Sequence, residues 1–270
     1  MTTAEAASAG FSIGRVINRL FSVLGRNLVM FLLLSALLVG APTALVNIGQ
    51  LSMGTTAASG TVFAAQLALV FGGLIVSVIC NAMLQGAVIH ATVNDLAGRR
   101  ASFGESLAVG LRYFLPLVGI SLIVGIGCGF GLIFFIIPGI LLALVWCVAA
   151  PAEVMERAGV FGALSRSREL TRDHRGAIFV LGLGYFVVVW IVEAAITAVA
   201  LTIGLGAGFT AAGGRALAGV QTLAWVQAGF GLVGNTLLAS LSSAGIASIY
   251  FELRHAKEGV GVEQLAAVFD

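Results

Sequence analysis

Charge is what this sequence has least of. Only 10% of its 270 residues are Asp, Glu, Lys or Arg, 59% are hydrophobic, and the mean hydropathy is +1.08. Soluble domains carry about 25% charged residues. So few charges cannot cover a surface in water, which excludes a soluble globule and leaves an integral membrane protein. Cysteine is scarce as well. Cys80, Cys128 and Cys147 each lie in an apolar run without a CxxC spacing, so they read as small buried hydrophobes and not as a disulfide framework. The three histidines are far apart and no HxxxH or HExxH occurs, which argues against a metal centre. No Ser-His-Asp or Cys-His arrangement can be built, so neither an enzyme nor a cofactor is expected. The first ten residues lack a basic region, and the segment after them does not form the apolar core of a signal peptide.

What is there is apolar length. Six long runs cover roughly 28–48, 62–94, 113–136, 139–155, 177–203 and 219–251 of a single 1–270 domain. About 20 residues cross a bilayer, so the second and sixth must tilt or protrude. Pro138 and Gly139 in "IIPGI" predict a tight stop and restart between the third and fourth spans. The uncharged stretch 49–60, "GQLSMGTTAASG", reads as a flexible linker.

The few charges are sorted by side. Thirteen of the fourteen basic residues, thirteen Arg and one Lys in all, fall in the N-terminal segment, the loops after spans two and four, and the C-terminus; Arg215 alone falls on the other side. The positive-inside rule then puts both termini in the cytoplasm. Basic residues spread over four flanks follow topology, so no nucleic acid is expected as a partner.

Three segments on that side resemble one another: "FSIGRVINRLFSVLGRN", "SFGESLAVGLRYF" and "VFGALSRSRELTRDHRG". In the first, Ile13, Val16, Ile17, Leu20 and Leu24 share one helix face, and Arg15, Asn18, Arg19, Ser22 and Arg26 the other. The second opens with Ser102 and Glu105 at capping-box spacing. In the third, Phe161, Leu164, Arg168, Arg172 and Arg175 share a stripe. Such helices can lie at a membrane surface with Arg reaching phosphates. The expectation is an all-α protein of six spans with interfacial helices, arranged as three repeats of interfacial helix plus hairpin. Arg15, Arg19, Arg26, Arg168, Arg172 and Arg175 are the candidate contacts to anionic headgroups.

Inside the spans, Glu193 is the one carboxylate well within an apolar run. A charge there is costly, so it should face the bundle interior and find a partner, or be protonated. Gln227 lies at similar depth. Asn81 and Gln85, with Thr92, and the pair His90 and Asn94 lie on span two, and Asn235 and Ser242 on span six. Interhelical hydrogen bonding and a polar cavity are both open for Glu193, Gln227, Asn81, Gln85 and Asn235. "GIGCGFG" at 125–131 has GxxxG spacing, which reads as close helix packing.

His174-Arg175-Gly176 matches the opening of soluble glycerophosphodiester phosphodiesterases, but no Glu-Asn pair follows it and six spans leave no room for a barrel of about 250 residues. It reads as the basic flank of span five. Its surroundings carry a different likeness. Pro151, Glu156, Ala163, Leu164, Arg166, Ser167, Leu170 and Thr171, preceded by Pro138-Gly139, and Tyr250, Leu253, Arg254, Glu258 and Gly259 near the end resemble the membrane domain found beside glycerophosphoryl diester phosphodiesterases and its stand-alone bacterial relatives. That resemblance implies a six-helix membrane module near lipid. In the fused proteins it accompanies an enzyme acting on lipid-derived phosphodiesters, a domain these residues do not include. The expected function is therefore a non-enzymatic protein that handles or organises membrane lipids or serves as an assembly subunit. Its partners would be anionic lipids, and a protein partner or a second copy. The alternative is a secondary transporter of a small amphiphile using Glu193.

Overall fold

A computed structural model describes residues 10–53, 60–96, 98–210 and 216–259, the side chains at 50–53, 60–62, 204–210, 216–224, 226–228 and 231 excepted. Every element among the described residues is helical. In order they are α1 (Ile13–Ser35), a π-helical turn (Ala36–Gly40), α2 (Ala41–Met53), α3 (Gly60–Leu96), α4 (Phe103–Phe134), α5 (Ile136–Trp146), α6 (Ala149–Glu156), α7 (Gly159–Thr171), α8 (Arg175–Thr210) and α9 (Ala216–Glu258). Six stretches are long and apolar enough to cross a membrane: Ile13–Gly49, Phe63–Leu96, Phe103–Phe134, Ile136–Glu156, Arg175–Ile203 and Leu232–Glu258. The number six and the approximate places agree with the hydropathy reading, and the chain has the make-up of a multi-pass membrane protein.

α9 is the central post. It packs against α1, α3, α6, α7 and α8, while α3–α4 and α4–α5 form antiparallel pairs. Small residues make the closest approaches. A Cβ on Gly110 of α4 would lie 2.4 Å from the Met83 carbonyl oxygen of α3, so the two backbones touch there. The glycine-rich run divides by face. Gly127 meets the Trp146 ring and Gly131 meets the Gly139 backbone, whereas Gly125 and Gly129 face open space. One of the two GxxxG registers packs helices and the other does not.

The turn between the third and fourth spans lies earlier than expected. The chain breaks at Phe135 (φ −154°, ψ 118°), whose N–H donates to the Gly131 carbonyl at 2.9 Å. Pro138 is the third residue of α5, where a missing N–H leaves no helical bond unmade. The fourth span has its own break at Cys147–Val148. Pro151 explains it, because its ring clashes with the carbonyl four residues back, at Cys147, and it has no N–H to donate there. The freed Val145 carbonyl is taken by α7: Ser167 Oγ donates to it at 2.8 Å, and Thr171 Oγ1 lies 3.4 Å away.

The short α6 that follows is enclosed. All seven residues from Ala149 to Met155 are buried, packed among Tyr113 and Leu117 of α4, Leu164 and Leu170 of α7, and Tyr250 and Leu253 of α9. A second core joins Val23, Phe31 and Leu34 of α1 and Leu38 of the π-helical turn to Leu84 and Val88 of α3 and Ala244 of α9. Elsewhere the apolar side chains point outward, from Phe71 on α3 to Phe186 and Trp190 on α8. In water this would be an aggregating surface; in hydrocarbon it is the outer wall.

The three segments expected as interfacial helices take three forms. The first runs into the span through a kink at Asn27 (φ −114°, ψ 17°). The second is one helix with its span: α4 runs unbroken from Phe103 through Pro116. Only the third is a separate helix, α7. A common repeated unit is not visible in these elements.

Candidate functional site: the polar end of the bundle

Ion pairs gather the charged segments at one end. Glu252 of α9 is fully buried and takes Arg15 Nε at 2.7 Å, Arg19 Nη1 at 3.3 Å and the Ser12 backbone N–H at 3.1 Å. Arg15 and Arg19 are four residues apart on α1, so one helix face delivers both guanidinium groups to one carboxylate. Arg26 holds Asp95 of α3 through Nη2 at 2.6 Å. The expected sides of the first segment hold in part: Val16 is buried and Leu20 and Leu24 pack on the core, while Asn18, Ser22 and Arg26 are exposed. Ile17 instead lies outside, and Arg15 and Arg19 turn to Glu252. A carboxylate removed from water demands charged donors.

A second network joins α6, α7 and α9. Arg166 Nε donates to Glu156 at 2.8 and 3.0 Å, and its Nη2 donates to Glu258. Arg254 Nε donates to Glu258 at 2.8 Å. The buried Tyr250 hydroxyl donates to Glu156 at 2.8 Å. Two carboxylates thus balance two guanidinium groups. Burial lowers the pKa of Arg166, but the Glu258 and Glu156 carboxylates outweigh it and hold the group firmly charged. Arg166, Glu156, Tyr250, Arg254 and Glu258 all belong to the two stretches that carry the family likeness. Residues nearly a hundred positions apart in sequence therefore meet in one cluster.

Between these networks sits a smaller polar cluster. Asn94 Nδ2 donates to His90 Nε2 at 3.0 Å, which places the ring proton on Nδ1, 3.4 Å from Ser106 Oγ. The Ser102–Glu105 capping box forms as read, each backbone N–H meeting the other's side chain at 3.2 Å. Glu153 of α6 is buried, and its Oε2 finds no hydrogen-bond partner among the described residues. No group of three or more His, Cys, Asp or Glu among the described residues is placed to hold a metal ion.

The arginines of α7 and the turn after it differ from those of α1. Arg168 and Arg172 are exposed and take no carboxylate within ion-pair distance among the described residues. Arg175 is half-buried, with its Nε enclosed and without a hydrogen-bond partner among the described residues. Lys257 of α9 reaches Asp173 at 3.0 Å and, by that hydrogen bond and its charge, holds the Asp173 carboxyl below the usual carboxylate range. His174 packs edge-on against Phe11 at 5.3 Å. Burial, with the Lys257 charge beside it, keeps its pKa below the ordinary 6.5.

The intramembrane residues do not assemble into one site. Glu193 is exposed on α8, facing away from the chain and not into it. The buried side of α8 is already filled by apolar packing, with Ile196 seated on Gly234 of α9. Asn81 is exposed and donates to the Ser77 carbonyl of its own helix at 2.9 Å. Gln85 and Asn235 are half-buried. Thr92 is buried, and its Oγ1 has no hydrogen-bond partner among the described residues. The Gln227 side chain lies outside the described residues, as does Arg215. Further polar contacts between spans involve residues without a sequence signal. Ser35 and Ser240 bond at 2.7 Å between α1 and α9, and Tyr185 Oη donates to the Leu238 carbonyl between α8 and α9.

No family model matches the chain, and neither a curated protein nor a solved structure matches it.

Proposed function

We propose that this is a non-enzymatic membrane protein of the bacterial inner membrane that organises anionic lipid at its cytoplasmic face through the arginines of α7. The carrying observation is the division of labour among the basic residues. Arg15, Arg19, Arg26, Arg166 and Arg254 are held by carboxylates of the chain, while Arg168 and Arg172 are exposed and hold none. Arg168 lies on the short α7 and Arg172 directly follows it, with exposed Phe161 two turns before Arg168, an arrangement suited to an apolar ring entering the acyl boundary beneath phosphate-seeking guanidinium groups. The likeness to a membrane domain that accompanies phosphodiester enzymes supports nearness to lipid headgroups. Transport through an interior site at Glu193 has less support, because that side chain faces outward.

Near-surface basic residues contribute about 1 kcal/mol each toward anionic lipid. Arg168→Ala with Arg172→Ala should therefore lower the preference for phosphatidylglycerol over phosphatidylcholine by roughly thirtyfold. Native mass spectrometry of the chain released from mixed nanodiscs reads that ratio directly. An unchanged ratio in the double variant would remove the proposal.

A further inference from the structure

The outward stripe of α8 carries one residue that hydrocarbon does not suit. Phe179, Leu183, Phe186, Trp190, Glu193 and Thr197 follow one another at alternating steps of four and three, and all six are exposed. That spacing aligns them along one side of the helix. α8 packs on the chain through its other side, against α9 and the edge of α5. Glu193 lies 18 residues after Arg175 and 10 before Ile203. At 1.5 Å per residue those are about 27 and 15 Å along the axis. A hydrocarbon core of about 30 Å placed anywhere across 175–203 of an upright helix contains Glu193. Its carboxyl forms no hydrogen bond or ion pair with any described residue. Polar groups in a span face protein or water and pair with one another; this one faces neither within the chain.

We infer that this stripe is the interface for a second copy of the chain, with the two Glu193 carboxyl groups hydrogen-bonded to each other near the two-fold axis. The topology selects that partner. Copies inserted in the same orientation hold α8 parallel to α8, so a residue on a two-fold seam meets its own counterpart at its own depth. Two carboxyl groups brought together there share a proton, the O–H of one donating to an oxygen of the other. Glu193 is the one ionisable side chain on the stripe, so a copy supplies its complement without any basic residue. A different protein would have to bring a donor to the same depth. Ala194 and Ala198, exposed beside Glu193 and small, let the two backbones come close. The inference is independent of the α7 arginines.

The test uses the full chain labelled at its C-terminus with a donor or an acceptor dye, in phosphatidylcholine vesicles at falling protein-to-lipid ratio. Energy transfer should report a dimer. Glu193→Leu should raise its dissociation constant at least tenfold, and Glu193→Gln, whose amides can also pair, should stay within about threefold. Cross-linking separates a lost interface from a misfolded variant. With Cys80, Cys128 and Cys147 changed to Ala, single cysteines at Leu183 or Trp190 should oxidise to dimers, and one at Leu122 on α4 should not. A chain that is monomeric at every ratio, its stripe covered by lipid, overturns the inference. So does transfer insensitive to Glu193→Leu, or cross-linking at Leu122→Cys as strong as at Leu183→Cys.

Discussion

The arginines of α1 and those of α7 are alike in sequence, each set alternating with apolar residues just before a span. In the fold they part. Arg15 and Arg19 close on Glu252, a carboxylate 0% exposed, while Arg168 and Arg172 look outward with no carboxylate of their own. The first set holds the end of α9 to the N-terminal helix; the second is left for what lies outside the chain. The difference teaches that an amphipathic basic helix is read by what sits behind it. α1 lies against the buried Glu252 of α9, whereas α7 already has its own Arg166 paired with Glu156 and Glu258 and covers the broken end of the fourth span.

The strongest way to break that contrast is Glu252→Ala. It leaves two guanidinium groups facing an apolar gap, and both keep some access to water, so the cost should be about 3 kcal/mol, the low end for breaking a buried pair. Chemical denaturation in detergent measures it, and a loss under 1 kcal/mol would mean that the pairing does not hold α1. Arg15→Ala comes next. It removes the charged bonds to Glu252 and to the Gly10 carbonyl and leaves Arg19 in place, so about 1.5 kcal/mol is expected, with no change in lipid preference. Ser167→Ala should cost about 1 kcal/mol by leaving the Val145 carbonyl to Thr171 alone; Ser167→Thr, which keeps the hydroxyl, should recover part of it. Arg172→Ala should stay within about 0.5 kcal/mol of wild type in the same assay. Equal losses for Arg15→Ala and Arg172→Ala would erase the distinction between the two helices.

The smallest expected effect is a pH dependence at His174. Its pKa in the fold lies below the ordinary 6.5, so the unfolded chain binds a proton that the folded chain refuses. Its contribution to stability is full above about 6.5 and is lost as pH falls below that value. Comparing wild type with His174→Phe, which keeps a ring against Phe11, between pH 7.5 and 5.5 should show a steeper slope in wild type.

Some of the polar end was legible in sequence because its signals are local. The Ser102–Glu105 box and the His90–Asn94 pair join residues three and four apart, within reach along one helix. Pro151 also announces its break, since its effect falls four residues back at Cys147. Glu252 could not be found in this way. Its partners Arg15 and Arg19 are more than 230 residues distant, and no periodicity connects them. Glu193 failed for another reason. Both faces of α8 are apolar, so a hydrophobic pattern cannot say which one meets α9; the seat of Ile196 on Gly234 decides it.

The sequence by itself determined the class: all-helical, six apolar helices long enough to cross a bilayer, with basic residues confined to their flanks. Hydropathy and length are properties of contiguous residues, and the bilayer thickness acts on each segment separately. Only the tertiary structure decided which charges are spent inside the chain and which are left over, and that Glu193 looks out. Ion pairing and facing depend on where distant helices cross, and those crossings are set by small residues such as Gly110 and Gly234 whose partners lie on other helices.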